Sequence, residues 1–315
     1  METTSLTAAN HAPVIESVRA LLTDLIDYAG LFPPAALSME LAAANYDAYS
    51  KSEYAWMLGR FIVPVARLRE FEAAVNGLRN PNAKQGSHWG LSALPGADVA
   101  TDLSRVRDFN DRFAAPHSTT TIKIESIEVK IANAEEIDRL SKIIPEQLDT
   151  YFEIPLTADV AVCIAAVARC GRRAKIRTGG ETADKFPAPE SILEFMRLCA
   201  ASSVAFKATA GLHHPVRSRR SLTYRPDSPS GIMHGFLNVF LAAAFLRTGM
   251  DAPLAIELLN EQSAASFHFD SAGVAWRDRQ LGMDDLSAAR RYFAISFGSC
   301  SFTEPVEDLK ALRLL

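Results

Sequence analysis

The sequence predicts an α/β protein, a (β/α)8 TIM barrel with a helical and loop insertion in its C-terminal part. Short β-rich runs alternate with amphipathic helical stretches along almost the whole chain, the pattern of a parallel sheet covered by helices. Seven such units are legible and an eighth lies near Ser296, which fits a barrel of about 250 residues plus extensions. An open doubly wound sheet is the alternative. Its dinucleotide-binding version has no support, because no G-x-G-x-x-G follows the first strand.

Taken in order, residues 1–12 are small and polar and are expected to fray, while 13–315 read as one domain without an internal repeat or a clean linker. Strands are expected at Leu25–Tyr28, Phe61–Val65, His88–Leu94, Ser126–Ala132, Thr150–Leu156, Arg173–Thr178 and Val204–Thr209. Amphipathic spacing predicts helices over Arg67–Leu78, Val99–Phe113, Ala134–Ile144, Ala158–Ala168 and Glu190–Ala201. Extra length concentrates at about 213–290. Residues 213–231 are rich in Pro, Ser and Arg and read as a long loop. Helices Met233–Arg247 and Pro253–Asn260 follow, then a hairpin over Phe267–Trp276 turning at Asp270–Gly273.

Composition narrows the function classes. Apolar residues at 48% and charged residues at 22% of 315 are those of a globular protein. With 33 Lys plus Arg against 37 Asp plus Glu, the net charge of −4 leaves no basic footprint for nucleic acid or an anionic membrane. The longest apolar run, Phe236–Leu246, is interrupted by Asn238 and falls well short of the ~20 residues a span needs. The first dozen residues carry neither a basic region nor an apolar core, so no secretory signal is expected. Cys163, Cys170, Cys199 and Cys300 form no C-x-x-C pair, which suits reduced thiols and a cytoplasmic location.

Strand alternation then selects the candidate site. Ile127, Val129 and Ile131 share one face, with Glu128 and Lys130 on the other. Phe152 and Ile154 oppose Tyr151 and Glu153; Ala174 and Ile176 oppose Lys175 and Arg177; Phe206 and Ala208 oppose Lys207 and Thr209. In a barrel the apolar set packs under the helices and the polar set faces the lumen. An antiparallel sheet with one solvated face would alternate in the same way, but the intervening helices need a sheet to cover. The expected lumen therefore holds Glu128, Lys130, Glu153, Lys175, Arg177 and Lys207, two negative charges against four positive. Asp27, ending the first strand, is a further candidate. A surplus of cations eases deprotonation of a lysine and suits an anionic substrate, and the carboxylates are candidate proton shuttles.

The runs AKIRTGG (174–180), PAPESILEFMRL (187–198) and VAFKATAGLHHP (204–215) resemble the last third of deoxyribose-phosphate aldolases, class I aldolases. There a strand carries the Schiff-base lysine and a Thr/Gly turn, a capped helix follows, and the next strand brings a second lysine to a glycine turn. Fainter likenesses are LIDYAGLFPPA (25–35), RFIVPVARL (60–68), SIEVKIA (126–132), YFEIPLT (151–157) and FGSCSF (297–302). The resemblance implies that Lys175 forms the imine, Lys207 lowers its pKa, and Glu128 is the matched acid, with Glu153 beside them. It implies a phosphate-binding turn at Gly298 and Ser299, and substrate contacts from Thr209 and Gly211. The chain departs from the family at Glu128 in place of an Asp, at Ile176–Arg177 in place of small hydroxylated residues, and at His213–His214 in place of an Arg-Thr turn.

The expected activity is thus a carbon–carbon lyase acting on a small phosphorylated or carboxylated carbonyl compound, without a cofactor or required metal, in a homo-oligomer. Asp27, Lys130, Arg177, His213, His214 and Arg217 are expected to contact substrate, and Arg217, Arg219, Arg220 and Arg225 form either a solvated loop or an anion-clamping lid. Two other readings stay open. His213, His214 and His234 could hold a divalent metal with Glu153 or Asp27 in a metal-assisted lyase or isomerase, and the barrel could bind an anionic metabolite without turnover. The FGSCSF turn leads into a helix from Glu304, with Thr303 as expected N-cap. Cys300 has no base near it in sequence and is not expected to be a nucleophile.

Overall fold

The computed structural model describes residues 13–78, 87–114, 120–157 and 159–315; the expected fraying of 1–12 lies outside them. Thirteen strands are present among these residues: β1 (Ile26–Tyr28), β2 (Leu58–Pro64), β3 (Ser87–Leu94), β4 (Thr120–Lys130), β5 (Asp149–Glu153), β6 (Arg173–Arg177), β7 (Phe206–Thr209), β8 (Ser218–Ser221), β9 (Ser230–Met233), β10 (Phe267–Phe269), β11 (Gly273–Trp276), β12 (Arg279–Gly282) and β13 (Ala294–Ser299). The first seven pair in parallel in chain order, and β13 closes the ring between β7 and β1. The result is a closed eight-stranded parallel barrel with alternating helices.

The helices are α1 (Glu16–Leu22), α2 (Met39–Ser50), α3 (Leu68–Leu78), α4 (Val99–Phe113), α5 (Ala134–Ser141), α6 (Val160–Arg169), α7 (Pro189–Ala201), α8 (Phe236–Arg247), α9 (Ala252–Asn260), α10 (Met283–Tyr292) and α11 (Thr303–Ala311). Several start where a side chain satisfies an unpaired amide: Ser38, Asp98, Asn133, Asp159 and Asp251 each accept from the backbone N–H three residues on. Thr303 does not serve as N-cap, since it is already the first residue of α11; Ser301 Oγ accepts from Glu304 N–H instead. The apolar strand faces pack outward under this shell, with Ile127, Phe152, Ala174, Ile176, Phe206 and Ala208 wholly buried.

The stretch expected as a loop over 213–231 contains an antiparallel hairpin, β8 with β9. Its Pro and Ser residues mask two four-residue strands too short to show alternation. After it α8, buried along almost its whole length, is the first of three helices, with α9 and α10, between β7 and β13. Asn238 holds this segment together: Nδ2 donates to the carbonyls of Leu258 and Glu261, and Oδ1 accepts from Arg217 N–H. The hairpin expected at Phe267–Trp276 is present and gains a third strand, β12. Arg290 of α10 is buried and donates to the carbonyls of Leu21 in α1, of Thr23 just beyond it, and of Ala294 and Ile295 in β13. That one guanidinium ties the end of α1 to the start of β13. No helix among the described residues is long and apolar enough to cross a membrane.

Candidate active site in the barrel lumen

Register fixes which side chains meet. Lys175 on β6 lies across from Glu153 on β5 and from Lys207 on β7, while Glu128 on β4 lies across from Tyr151. Period-two alternation sends all of them inward. Glu128, Lys175 and Lys207 are buried, as is Asp27 on β1.

Lys207 Nζ donates to Asp27 Oδ2 at 2.5 Å and to Glu128 Oε1 at 2.7 Å, above the Tyr151 ring at 5.3 Å. Both carboxylates are anchored from behind. Ser296 Oγ donates to Asp27 Oδ2 and the Arg60 N–H to Asp27 Oδ1, each at 2.7 Å. Ser92 Oγ donates to Glu128 Oε1, and Ser126 Oγ to Ser92 Oγ. Lys175 Nζ is 2.8 Å from Glu128 Oε2 and 2.7 Å from Glu153 Oε2, yet neither oxygen receives a well-directed hydrogen bond. Lys175 is thus paired with two carboxylates, as Lys207 is, but one of its partners, Glu153, is 12% exposed.

The electrostatics differ from the expected surplus of cations. Lys130 and Arg177 end their strands and are exposed at the C-terminal mouth, so the lumen holds two ammonium groups against three carboxylates, Asp27, Glu128 and Glu153. The last residue of a strand already reaches solvent, which alternation alone does not reveal. Burial opposes charge on Lys207, but Asp27 and Glu128 outweigh it and raise its pKa above the ordinary lysine value. Burial likewise pushes Glu128 up, and the charges of Lys175 and Lys207 overcome it, holding the carboxyl well below the usual range. Glu153 is lowered too, against its burial, chiefly by Lys175.

At the mouth, Gly298 of β13 pairs with both Asp27 and Thr209, and Thr209 Oγ1 lies 3.2 Å from where a Cβ would project. Gly211 has φ +75°, and a Cβ there would stand 2.8 Å from the Cα of Gly179, so the turns after β6 and β7 touch backbone to backbone. Ser299 Oγ accepts from Ser301 N–H.

The histidines are engaged separately. His213 bonds Glu304, His214 bonds Asp308, and His234 lies between Arg217 and the Pro187 carbonyl. Among the described residues no group of three or more His, Cys, Asp or Glu is arranged to hold a metal ion. Arg217 is the half-buried member of the arginine set; Arg220 faces Asp308, and Arg225 pairs with its neighbour Asp227. At the opposite, N-terminal end of the strands, a cavity of about 730 Å³ is lined by Asp24, Asp27, Arg60, Glu125, Arg290 and Ser296 among others. Sequence reading missed Ser92, Ser126 and Ser296, whose small hydroxyls carry no signal until the register sets them behind a carboxylate. No family model, curated protein or solved structure matches the chain significantly.

Proposed function

We propose that the chain is a class I aldolase-like lyase that forms an imine between Lys175 and a small anionic carbonyl compound. One observation carries this reading: Lys175, with the solvent-reaching Glu153 as one partner, stands in register beside a second lysine locked as an ammonium, with Glu128 between them. An amine must lose its proton to attack, and Lys207, bonded to the wholly buried Asp27 and Glu128, has no acceptor that reaches solvent. Glu153, the less buried of the two carboxylates at Lys175, is the acceptor for its ammonium proton.

In the proposed reaction the freed Nζ lone pair attacks the carbonyl carbon, whose oxygen takes up a proton. Water then leaves to give the iminium. The β-hydroxyl gives its proton to a base as its oxygen becomes the new carbonyl, and the carbon–carbon bond breaks with its electron pair flowing into the iminium, giving an enamine and a released carbonyl product. Protonation at carbon and hydrolysis restore Lys175 and release the second product. Glu128 and Lys207 remain ionised and fix the polarity around the nitrogen. The resemblance of residues 174–180 and 204–215 to deoxyribose-phosphate aldolases supports the same assignment. The anionic character of the substrate is supported by Lys130 and Arg177 at the ends of β4 and β6, on either side of Glu153.

Incubation with a panel of small aldehydes and ketones plus borohydride tests it. A reduced adduct on the peptide bearing Lys175, absent in Lys175→Met, is the expected result. An adduct on Lys207 alone, or none across the panel with the fold intact, overturns it.

A further inference from the structure

The loops after β7 and β13 assemble a second reactive cluster that the lumen chemistry leaves unused. Cys300 directly follows β13, and its Sγ lies 3.9 Å from Nε2 of His213. The other ring nitrogen, Nδ1, lies 2.9 Å from Glu304 Oε2 in the first turn of α11. Tyr224, in the β8–β9 connection, donates its hydroxyl to the same Glu304 oxygen at 2.6 Å and sits 3.7 Å from Sγ. Cys300 and His213 are buried, whereas Tyr224 is 52% exposed.

A nucleophile, a base in contact with it and a carboxylate on the far ring nitrogen form the arrangement that activates side chains for covalent acyl chemistry. The other thiols lack it: Cys163 and Cys199 are buried in the core, and Cys170 faces the carboxylate of Asp138.

We propose that Cys300 is a nucleophile for small acyl donors, esters or thioesters, with His213 as proton acceptor, Glu304 as its positioning residue and Tyr224 as the cap over the thiol. The Sγ proton moves to His213 Nε2 as the sulfur pair bonds the acyl carbon and the carbonyl π pair moves to oxygen. Collapse of that adduct breaks the bond to the leaving alcohol or thiol, which takes the proton back from Nε2. Water then hydrolyses the acyl-thioester, releasing the acid and regenerating the thiol. The surroundings favour the transfer. Burial disfavours an imidazolium at His213, yet the thiolate of Cys300 and the carboxylate of Glu304 stabilise it once the proton has moved, and its pKa lies above the ordinary value. Glu304 is held ionised against its burial by His213 and Tyr224. The other charged groups packed here, His214, Asp308 and Arg220, are engaged with one another.

The experiment uses the whole protein with p-nitrophenyl acetate. A burst of p-nitrophenolate and an acetyl group on the Cys300 peptide are expected, both lost in Cys300→Ser. Glu304→Gln and His213→Gln should each slow acetylation by about 10²-fold, and Tyr224→Ala should speed it by uncovering the sulfur. Cys170 acetylated faster than Cys300 in the Tyr224→Ala protein, or a Cys300 rate unmoved by Glu304→Gln, overturns the proposal. If His213→Gln fails to fold, the partly exposed Glu304 carries the same test. Borohydride trapping at Lys175 reads the lumen separately, so either reading can fail without the other.

Discussion

Lys207 stands across from Lys175 on the neighbouring strand, yet the two ammonium groups end on opposite oxygens of Glu128. Two like charges are tolerated side by side because a carboxylate separates them and two more flank the group. The arrangement is asymmetric in burial, and that asymmetry makes the roles of the two lysines separable by experiment.

Stability separates them first. Lys207→Met would leave Asp27 and Glu128 charged and buried without their shared cation, a loss expected at about 3–5 kcal/mol. Lys175→Met should cost less, since Glu128 keeps Lys207 and Ser92, and Glu153 reaches solvent. Urea unfolding of both variants checks this; equal losses would mean that Lys175 is as firmly integrated as Lys207.

The carboxylates should split likewise. Glu153→Gln is expected to leave the unfolding midpoint close to wild type while lowering borohydride trapping at Lys175 by about 10²–10⁴-fold. Glu128→Gln removes the charge between two ammoniums and should lower stability as well as trapping. Thermal melts alongside adduct yields decide between a proton acceptor and a structural counter-ion.

His234 sets an acid limit. Arg217 can only donate to Nδ1 and the Pro187 carbonyl can only accept from Nε2, so the ring is neutral with its proton on Nε2. Burial, assisted by the Arg217 charge and opposed by the Pro187 bond, holds its pKa at about 4 against 6.5. A depressed pKa means stability that is present above pH 6.5 and lost as the pH falls through 4. The expected loss is on the order of 3 kcal/mol. Denaturant titrations from pH 7 to 4 should show that slope in wild type and a flatter one in His234→Gln.

Arg290 predicts a structural effect far from either site. Its donors satisfy carbonyls of Leu21, Thr23, Ala294 and Ile295, and Arg290→Met would strand them. Unsatisfied buried groups cost about 1–3 kcal/mol each, so the midpoint in urea should fall sharply. Arg290→Lys, with one compact head for a planar fork, should recover only part of the loss.

Much of this was legible in the chain. Alternation within SIEVKIA, AKIR and VAFKAT assigns Glu128, Lys175 and Lys207 inward, because these strands carry a polar lumen face opposite an apolar helix-facing one. The helix Val99–Phe113 falls where its spacing predicts. In contrast, α2 and α10 carry no clear signal in the sequence. The run Met39–Ser50 mixes alanines with polar residues and has no sharp apolar stripe, and α10 hides behind the charged run Asp284–Arg291. Asp27 reads as a strand end; only its partner, 180 residues away, gives it meaning. The same holds for Cys300, whose base lies 87 positions upstream. Pairings across such distances are properties of barrel closure and leave no local trace.

That closure also has a consequence for how the chain reaches its native state. The seam is made by three-residue β1 against β13, joining Ile26 to Phe297 and Tyr28 to Ser299, so the ring is completed by contacts of nearly maximal sequence separation. Such contacts form late and slowly, because the loop entropy is spent before they reward it. Until β13 leaves the ribosome, Asp27 lacks Ser296 and the open sheet offers β1 and β7 as unpaired edges. A nascent chain arrested before Ala294 would therefore present two adhesive borders to a chaperone or to another copy of itself.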